Sequence, residues 1–146
     1  MSRKMGGGCQ CGRIRYKVAI QTDEAYLCHC RMCQRATGGV SIAFKNVPKS
    51  ALEWSQDPDW YHSSEIARRP YCAHCGTPLG FEYPDSENAD LTVGSFDDPS
   101  GFRPTSHFGV ESMHEAWLDT SHLPRHRADE HAPLLERWEK AGGRPE

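Results

Sequence analysis

Residues 13–20, RIRYKVAI, alternate strictly: Ile14, Tyr16, Val18 and Ile20 fall on one side, Arg13, Arg15 and Lys17 on the other. A period of two marks a strand with one buried and one wet face, so a half-buried β-strand is predicted here. Shorter runs follow at 40–45 (VSIAFK), 52–55 (LEWS), 68–72 (RRPYC), 79–83 (LGFEY), 90–96 (DLTVGSF) and 107–111 (HFGVE). Gly, Pro, Asp and Ser separate them, the residues that turn a chain between strands. Many short strands with little helical periodicity predict a mainly β domain built from short antiparallel strands. Two stretches differ. RMCQRATGG at 31–39 can form one or two helical turns ended by Gly38, and in ADEHAPLLERWEK at 128–140 Leu134, Leu135 and Trp138 recur at helical spacing before Gly142 and Gly143.

Composition qualifies this picture. The 146 residues suit one core, expected as a domain over 1–127 followed by a C-terminal helix and tail over 128–146. Leu, Ile, Val and Phe together supply 22 positions, a share low enough to suggest disorder if net charge were high. Net charge is only −3, so stability is expected to draw on something besides aliphatic burial. Metal crosslinks fit, since structural zinc contributes on the order of 10 kcal/mol of apparent folding energy. Trp54, Trp60 and Trp117 are expected in the core, where large aromatics supplement a thin aliphatic supply. The slightly acidic balance disfavours nucleic-acid binding through bulk charge. No apolar run approaches the ~18 residues of a membrane span, and MSRKMGGG carries no apolar segment of a secretory signal. A cytoplasmic location without membrane association is therefore expected.

In that setting thiols stay reduced, and seven cysteines in tight pairs read as metal ligands rather than disulfides. They form three groups: Cys9-x-Cys11, Cys28-x-Cys30-x-x-Cys33 and Cys72-x-x-Cys75. Zinc–sulfur bonds of ~2.3 Å place the sulfurs of a tetrahedron roughly 3.8 Å apart, within reach of a CxC or CxxC turn. Two partitions are sensible. Cys9 and Cys11 can join Cys72 and Cys75 in a closed site, leaving Cys28, Cys30 and Cys33 with an open fourth position. Alternatively, Cys30 and Cys33 join Cys72 and Cys75 as a zinc ribbon, although the 38 residues between those pairs exceed the usual spacing of about 15 to 20. His29 and His74 sit between ligating cysteines and would project away from a metal. His107 and His114 could approach the trio from another strand, but a solvated or core role fits either better. Arg31 and Arg35 flank Cys33 and could meet a substrate anion, while Arg68 and Arg69 precede the second pair; arginines of this kind usually lie on a wet face.

GGCQCGRIRYKV, CHCRMCQRATGG and RRPYCAHCGTPL, followed by VGSFDDP and HFGVESMHEAWL, resemble in order the glutathione-dependent formaldehyde-activating enzyme family, which includes centromere protein V. The resemblance covers residues 6–120. It implies a β-tent fold of the Mss4-like type with two zinc ions per chain. It further implies that Cys9, Cys11, Cys72 and Cys75 hold a structural zinc, and that Cys28, Cys30 and Cys33 hold the catalytic one. The implied activity is that of a carbon–sulfur lyase acting on a small thiol adduct of the glutathione and formaldehyde type.

The charge of the trio agrees with thiol chemistry. Three thiolates and a zinc ion sum to one negative charge, which makes a weak Lewis acid and favours presenting a fourth sulfur over activating water. The alternatives are a non-catalytic zinc module binding a protein or nucleic acid, and thiol–disulfide exchange through Cys30 and Cys33. The latter needs an unmetallated CxxC, which Cys28 beside it disfavours.

Overall fold

The computed structural model describes residues 2–144, and the alternating stretch forms a strand within them. In chain order the strands are β1 (Arg3–Gly8), β2 (Arg15–Ile20), β3 (Glu24–Cys28), β4 (Ile42–Pro48), β5 (Leu52–Trp54), β6 (Asp59–Tyr61), β7 (Arg69–Tyr71), β8 (Gly80–Glu82), β9 (Asn88–Thr92) and β10 (Arg103–Phe108). The helices are α1 (Arg31–Thr37), after β3, and α2 (Ala132–Lys140), near the C-terminus. A mainly β fold with a short C-terminal helix is therefore the architecture.

Three sheets form: β1-β2-β5, β10-β3-β4-β9-β8 and β6-β7. Pairings are antiparallel except that β10 runs parallel to β3, with a register shift between Pro104 and Ser106. The main core lies between the first two sheets. Tyr16, Val18 and Ile20 of β2 meet Ala25, Val47, Leu91, Phe96 and Phe102. Aromatic edges complete it: Tyr16 and Phe96 approach at 5.5 Å, Phe96 and Phe102 at 4.8 Å. These geometries add to plain area burial, which lets a chain poor in aliphatic residues close a core.

β1 is Gly-rich and carries no strand pattern, yet it pairs with β2 from Arg3↔Ile20 to Gly8↔Arg15. Packing explains it. A Cβ on Gly7 would lie 2.3 Å from the Tyr16 ring, so only glycine lets this backbone pass beneath the tyrosine. Strands β3 and β6 lie outside the segments expected from the sequence. The 90–96 run divides into the end of β9 and a 3₁₀ turn over Val93–Ser95, and β10 begins before the segment expected at 107–111 and ends at Phe108.

The chain separates into two compact units, Met1–His114 and Glu115–Glu146. Among the described residues, the first holds the ten strands. The second contains 3₁₀ turns over Glu115–Trp117 and Ala128–Glu130 together with α2, whose residues are exposed or half-buried. Trp117, expected in the core, is 63% exposed. It lies past β10, in the second unit, outside the sheets that build the core. Trp54 packs on the core as expected, and Trp60 is half-buried beneath the Arg68 guanidinium at 3.7 Å. No helix is long and apolar enough to cross a membrane, among the described residues.

Candidate metal centres and the adjoining cleft

The three cysteine groups converge as four and three. Cys9, Cys11, Cys72 and Cys75 form one cluster and Cys28, Cys30 and Cys33 the other, with ligand atoms in each within 4.8 Å of one another. The ribbon arrangement, pairing Cys30 and Cys33 with Cys72 and Cys75, does not occur.

In the group of four, Cys9 and Cys11 come from the turn between β1 and β2, Cys72 and Cys75 from the knuckle after β7. The Cys9–Cys11 and Cys11–Cys72 sulfur separations are 3.6 and 3.7 Å. These match the ~3.8 Å edge of a tetrahedral thiolate site. Around them the backbone turns to present donors: Ile14 N–H reaches Cys9 Sγ at 3.3 Å, and Gly76 N–H closes the knuckle on Cys72 C=O at 2.7 Å. The Thr77 hydroxyl, 3.2 Å from Cys75 Sγ, lowers that thiol to about 5 against burial. Cys11 moves oppositely: the Arg13 amide lowers it, but burial and its thiol neighbours raise it to about 11. Arg13 also ion-pairs with Asp59, which accepts the Ala73 N–H at 2.7 Å and so braces the knuckle against β6. Ile14 and Leu79, both fully buried, seal the cluster with Trp54 packed against it.

The trio is local. Cys28 ends β3, Cys30 caps α1 by accepting Cys33 N–H at 3.3 Å, and Cys33 lies in the first turn. Helix α1 stops at Gly38, as expected. The loop entering it is held by β10, where Phe108 C=O accepts the His29 N–H at 2.8 Å. Gly109 follows at φ 72°, and a Cβ there would lie 2.8 Å from the Cys30 nitrogen. Buried Gln34 fastens the other side, its amide nitrogen within 2.8 to 3.1 Å of the His29, Val40 and Ser112 carbonyls. No period or motif marks Gln34 as a brace.

His29 does not join the sulfurs. It is 1% exposed, and its Nε2 lies 2.8 Å from His107 Nδ1. Burial, then His107 and His114, lowers its pKa and so favours the neutral ring. His74 and His114 are exposed, and neither joins a cysteine cluster. Arg31 and Arg35 are also exposed and do not reach the trio; Arg31 donates to Gln34 Oε1 at 2.6 Å. The cation that does is Arg69. It is 6% exposed, its Nη2 is 3.4 Å from Cys33 Sγ, and its plane lies 4.9 Å above the Phe81 ring. A hydrogen bond with Cys28 and the Arg69 guanidinium outweigh burial and lower Cys33 to about 5, while the same bond and burial raise Cys28. Such unequal sharing of protons is what crowded thiols do without a cation; a divalent ion would displace the remaining protons.

The trio opens into a cleft of about 560 Å³. Its floor is one face of the five-stranded sheet, because alternate residues point the same way. Ser106, Tyr26 and Phe44 form one cross-strand row and Asn46, Asp90 and Phe81 another. The opposite face carries Ala25, Val47 and Leu91 into the core. Residues 63–67, between β6 and β7, supply Ser63, Ser64, Ile66 and Ala67 to the rim. Arg69 Nε and Ser63 Oγ are buried there without a hydrogen-bond partner. Burial pushes the Asp90 carboxyl up, opposed by Asn46 and Tyr26. These floor residues come from strands far apart in sequence, and no linear signal links them.

Both clusters could hold a soft divalent cation: four thiols in a closed set, and three thiols beside an open cleft. No other His, Cys, Asp or Glu ligand atom joins the trio among the described residues. The family model described as glutathione-dependent formaldehyde-activating enzyme matches residues 4–112. A Schizosaccharomyces pombe protein described as an uncharacterized lyase is 32% identical over 82 residues, covering 56% of this chain and 60% of that relative. The match thus spans about three fifths of the relative's length. A crystal structure of a Rhodobacter sphaeroides protein aligns with a TM-score of 0.57 at 20% identity, covering 70% of this chain and 99% of that one. That likeness is one of fold.

Proposed function

Because the chain belongs to the glutathione-dependent formaldehyde-activating enzyme family, we propose that it is a zinc-dependent carbon–sulfur lyase that makes and breaks adducts between a small thiol and an aldehyde. The observation that carries this reading is the incomplete trio, three thiols at the end of a cleft with no fourth protein ligand among the described residues. The lyase description of the S. pombe relative supports the same class. Cys9, Cys11, Cys72 and Cys75 would hold a structural zinc and Cys28, Cys30 and Cys33 the catalytic one. The trio's zinc would supply a position at which an incoming thiol gives up its proton near neutral pH.

The chain's own groups do the rest. In the forward direction the thiol sulfur attacks the carbonyl carbon and forms the C–S bond. The C=O π pair moves to oxygen, and the proton lost from sulfur ends on that oxygen; the reverse reaction retraces these transfers. Arg69, against Cys33, offsets the negative charge that four sulfurs around a divalent ion would accumulate. Its guanidinium lines the cleft and can donate to the adduct oxygen. His107 lines the cleft, and with Nδ1 tied to His29 its Nε2 is the ring atom that can pass a proton to that oxygen. Phe44 and Phe81 make the floor beside these groups apolar, and a substrate lying on it would displace water there and strengthen both contacts.

The test mixes purified, zinc-loaded protein with glutathione and formaldehyde and follows adduct exchange by NMR beside a Cys30→Ser control. Exchange well above the uncatalysed rate, lost in the control, is expected. A rate equal to the uncatalysed one, with no thiol binding by calorimetry, would overturn the reading.

A further inference from the structure

The cleft is far larger than a one-carbon aldehyde needs, and its character is apolar. Tyr26, Phe44 and Phe81 form the floor, while Met32, Ile66 and Phe108 stand around the mouth. Ile66 is 68% exposed and Phe108 64% exposed, with Met32 and Tyr83 also well exposed. Large apolar side chains gathered around one concavity mark a surface that is covered when a ligand binds. Its polar groups sit on the floor, at the inner end and, from Ser63 and Ser64, at the rim. Arg69 and Ser63, which both line the cleft, each keep one buried polar atom without a hydrogen-bond partner. Apart from His107, Arg69 is the one cationic side chain lining the cleft among the described residues, and Asp90 the one carboxylate. Against two carboxylates and an ammonium group, as on glutathione, the lining offers one guanidinium and one carboxylate, and apolar side chains make up most of its outer part.

We propose that the adduct this site accepts carries an apolar substituent, aromatic or medium-chain alkyl, which lies against Phe81, Ile66 and Phe108 while its oxygen meets Arg69. This rests on the lyase reading above and narrows its substrate class. The substituent can enter on the thiol or on the aldehyde, and both place the same chemistry in the cleft. Each methylene transferred from water to apolar surroundings is worth roughly four-fold in affinity, so a phenyl group should be felt at tenfold or more.

The experiment uses the zinc-loaded full chain in two arms. In the first, calorimetry compares 2-mercaptoethanol with 2-phenylethanethiol. In the second, NMR exchange compares formaldehyde with phenylacetaldehyde at a fixed concentration of 2-mercaptoethanol. At least about tenfold preference for the phenyl compound in either arm is expected, and the responding arm identifies which component carries the substituent. Ile66→Ser, on the exposed rim, should erase most of that preference with the fold intact by circular dichroism; Phe108→Ala provides an independent variant. Equal or weaker response to the phenyl compound in both arms overturns this inference while leaving the lyase reading standing. Failure of every thiol to bind, with no exchange, removes both.

Discussion

Arg69 stands out among single residues because it is buried, charged and only half satisfied. Burying a guanidinium is costly unless something negative compensates it. Here the compensation is Cys33 Sγ at 3.4 Å, with the Phe81 ring beneath. Groups that hydrogen-bond a metal's ligands commonly change affinity by ~10- to 100-fold when removed. Arg69→Leu is therefore expected to weaken zinc binding at the trio by about tenfold or more, with the four-cysteine site unchanged. Arg69→Lys should recover part of this, since it restores charge but not the planar fork. Competition with a chromogenic chelator, read as two separate zinc release steps, checks both. Loss from the two sites in equal measure would contradict the assignment of Arg69 to the trio.

At the scale of elements, the end of β10 holds the trio in place. The Phe108 carbonyl fixes the His29 amide, and Gly109 then turns at φ 72° directly against the Cys30 backbone. A side chain meets two obstacles there. Left-handed backbone costs a non-glycine residue roughly 1–2 kcal/mol, and the Cβ would press 2.8 Å from a backbone nitrogen that cannot swing aside. Gly109→Ala is thus expected to destabilise the fold by about 1–3 kcal/mol and to lower zinc occupancy at the trio alone. Urea denaturation combined with zinc analysis measures both effects. Full occupancy with unchanged stability would show that the contact is not rigid.

For the whole molecule, the two cysteine groups differ in what they connect. Cys11 and Cys72 are 61 residues apart and tie the β1–β2 turn to the knuckle after β7, whereas the trio lies within one short segment. A crosslink stabilises a fold more when it closes a longer loop, because it removes more freedom from the unfolded chain. Cys72→Ser should therefore unfold or aggregate the protein, while Cys30→Ser should leave a folded chain with one zinc fewer. A mild chelator should likewise strip one zinc early, with the β-sheet circular dichroism spectrum largely retained. Simultaneous loss of both ions, or equal unfolding by both variants, would refute this division of roles.

What the sequence determined by itself is what local spacing can encode. The period of two placed Tyr16, Val18 and Ile20 on the buried face of β2 and Ile14 in line with them just before it, and all four are nearly inaccessible. Gly38 ended α1 where expected, and α2 formed around Leu134, Leu135 and Trp138. The cysteine groups were visible as potential metal ligands, but spacing alone left two partitions open. Tertiary structure decided between them by bringing the β1–β2 turn to the knuckle after β7. It also made β1 a strand, through the passage of Gly7 beneath Tyr16, and it set β10 parallel to β3. It placed Arg69 rather than Arg31 or Arg35 beside Cys33. The physical reason is common to these cases: periodicity reports which face of an element is dry, whereas the partner of that face is selected by packing among segments distant in the chain.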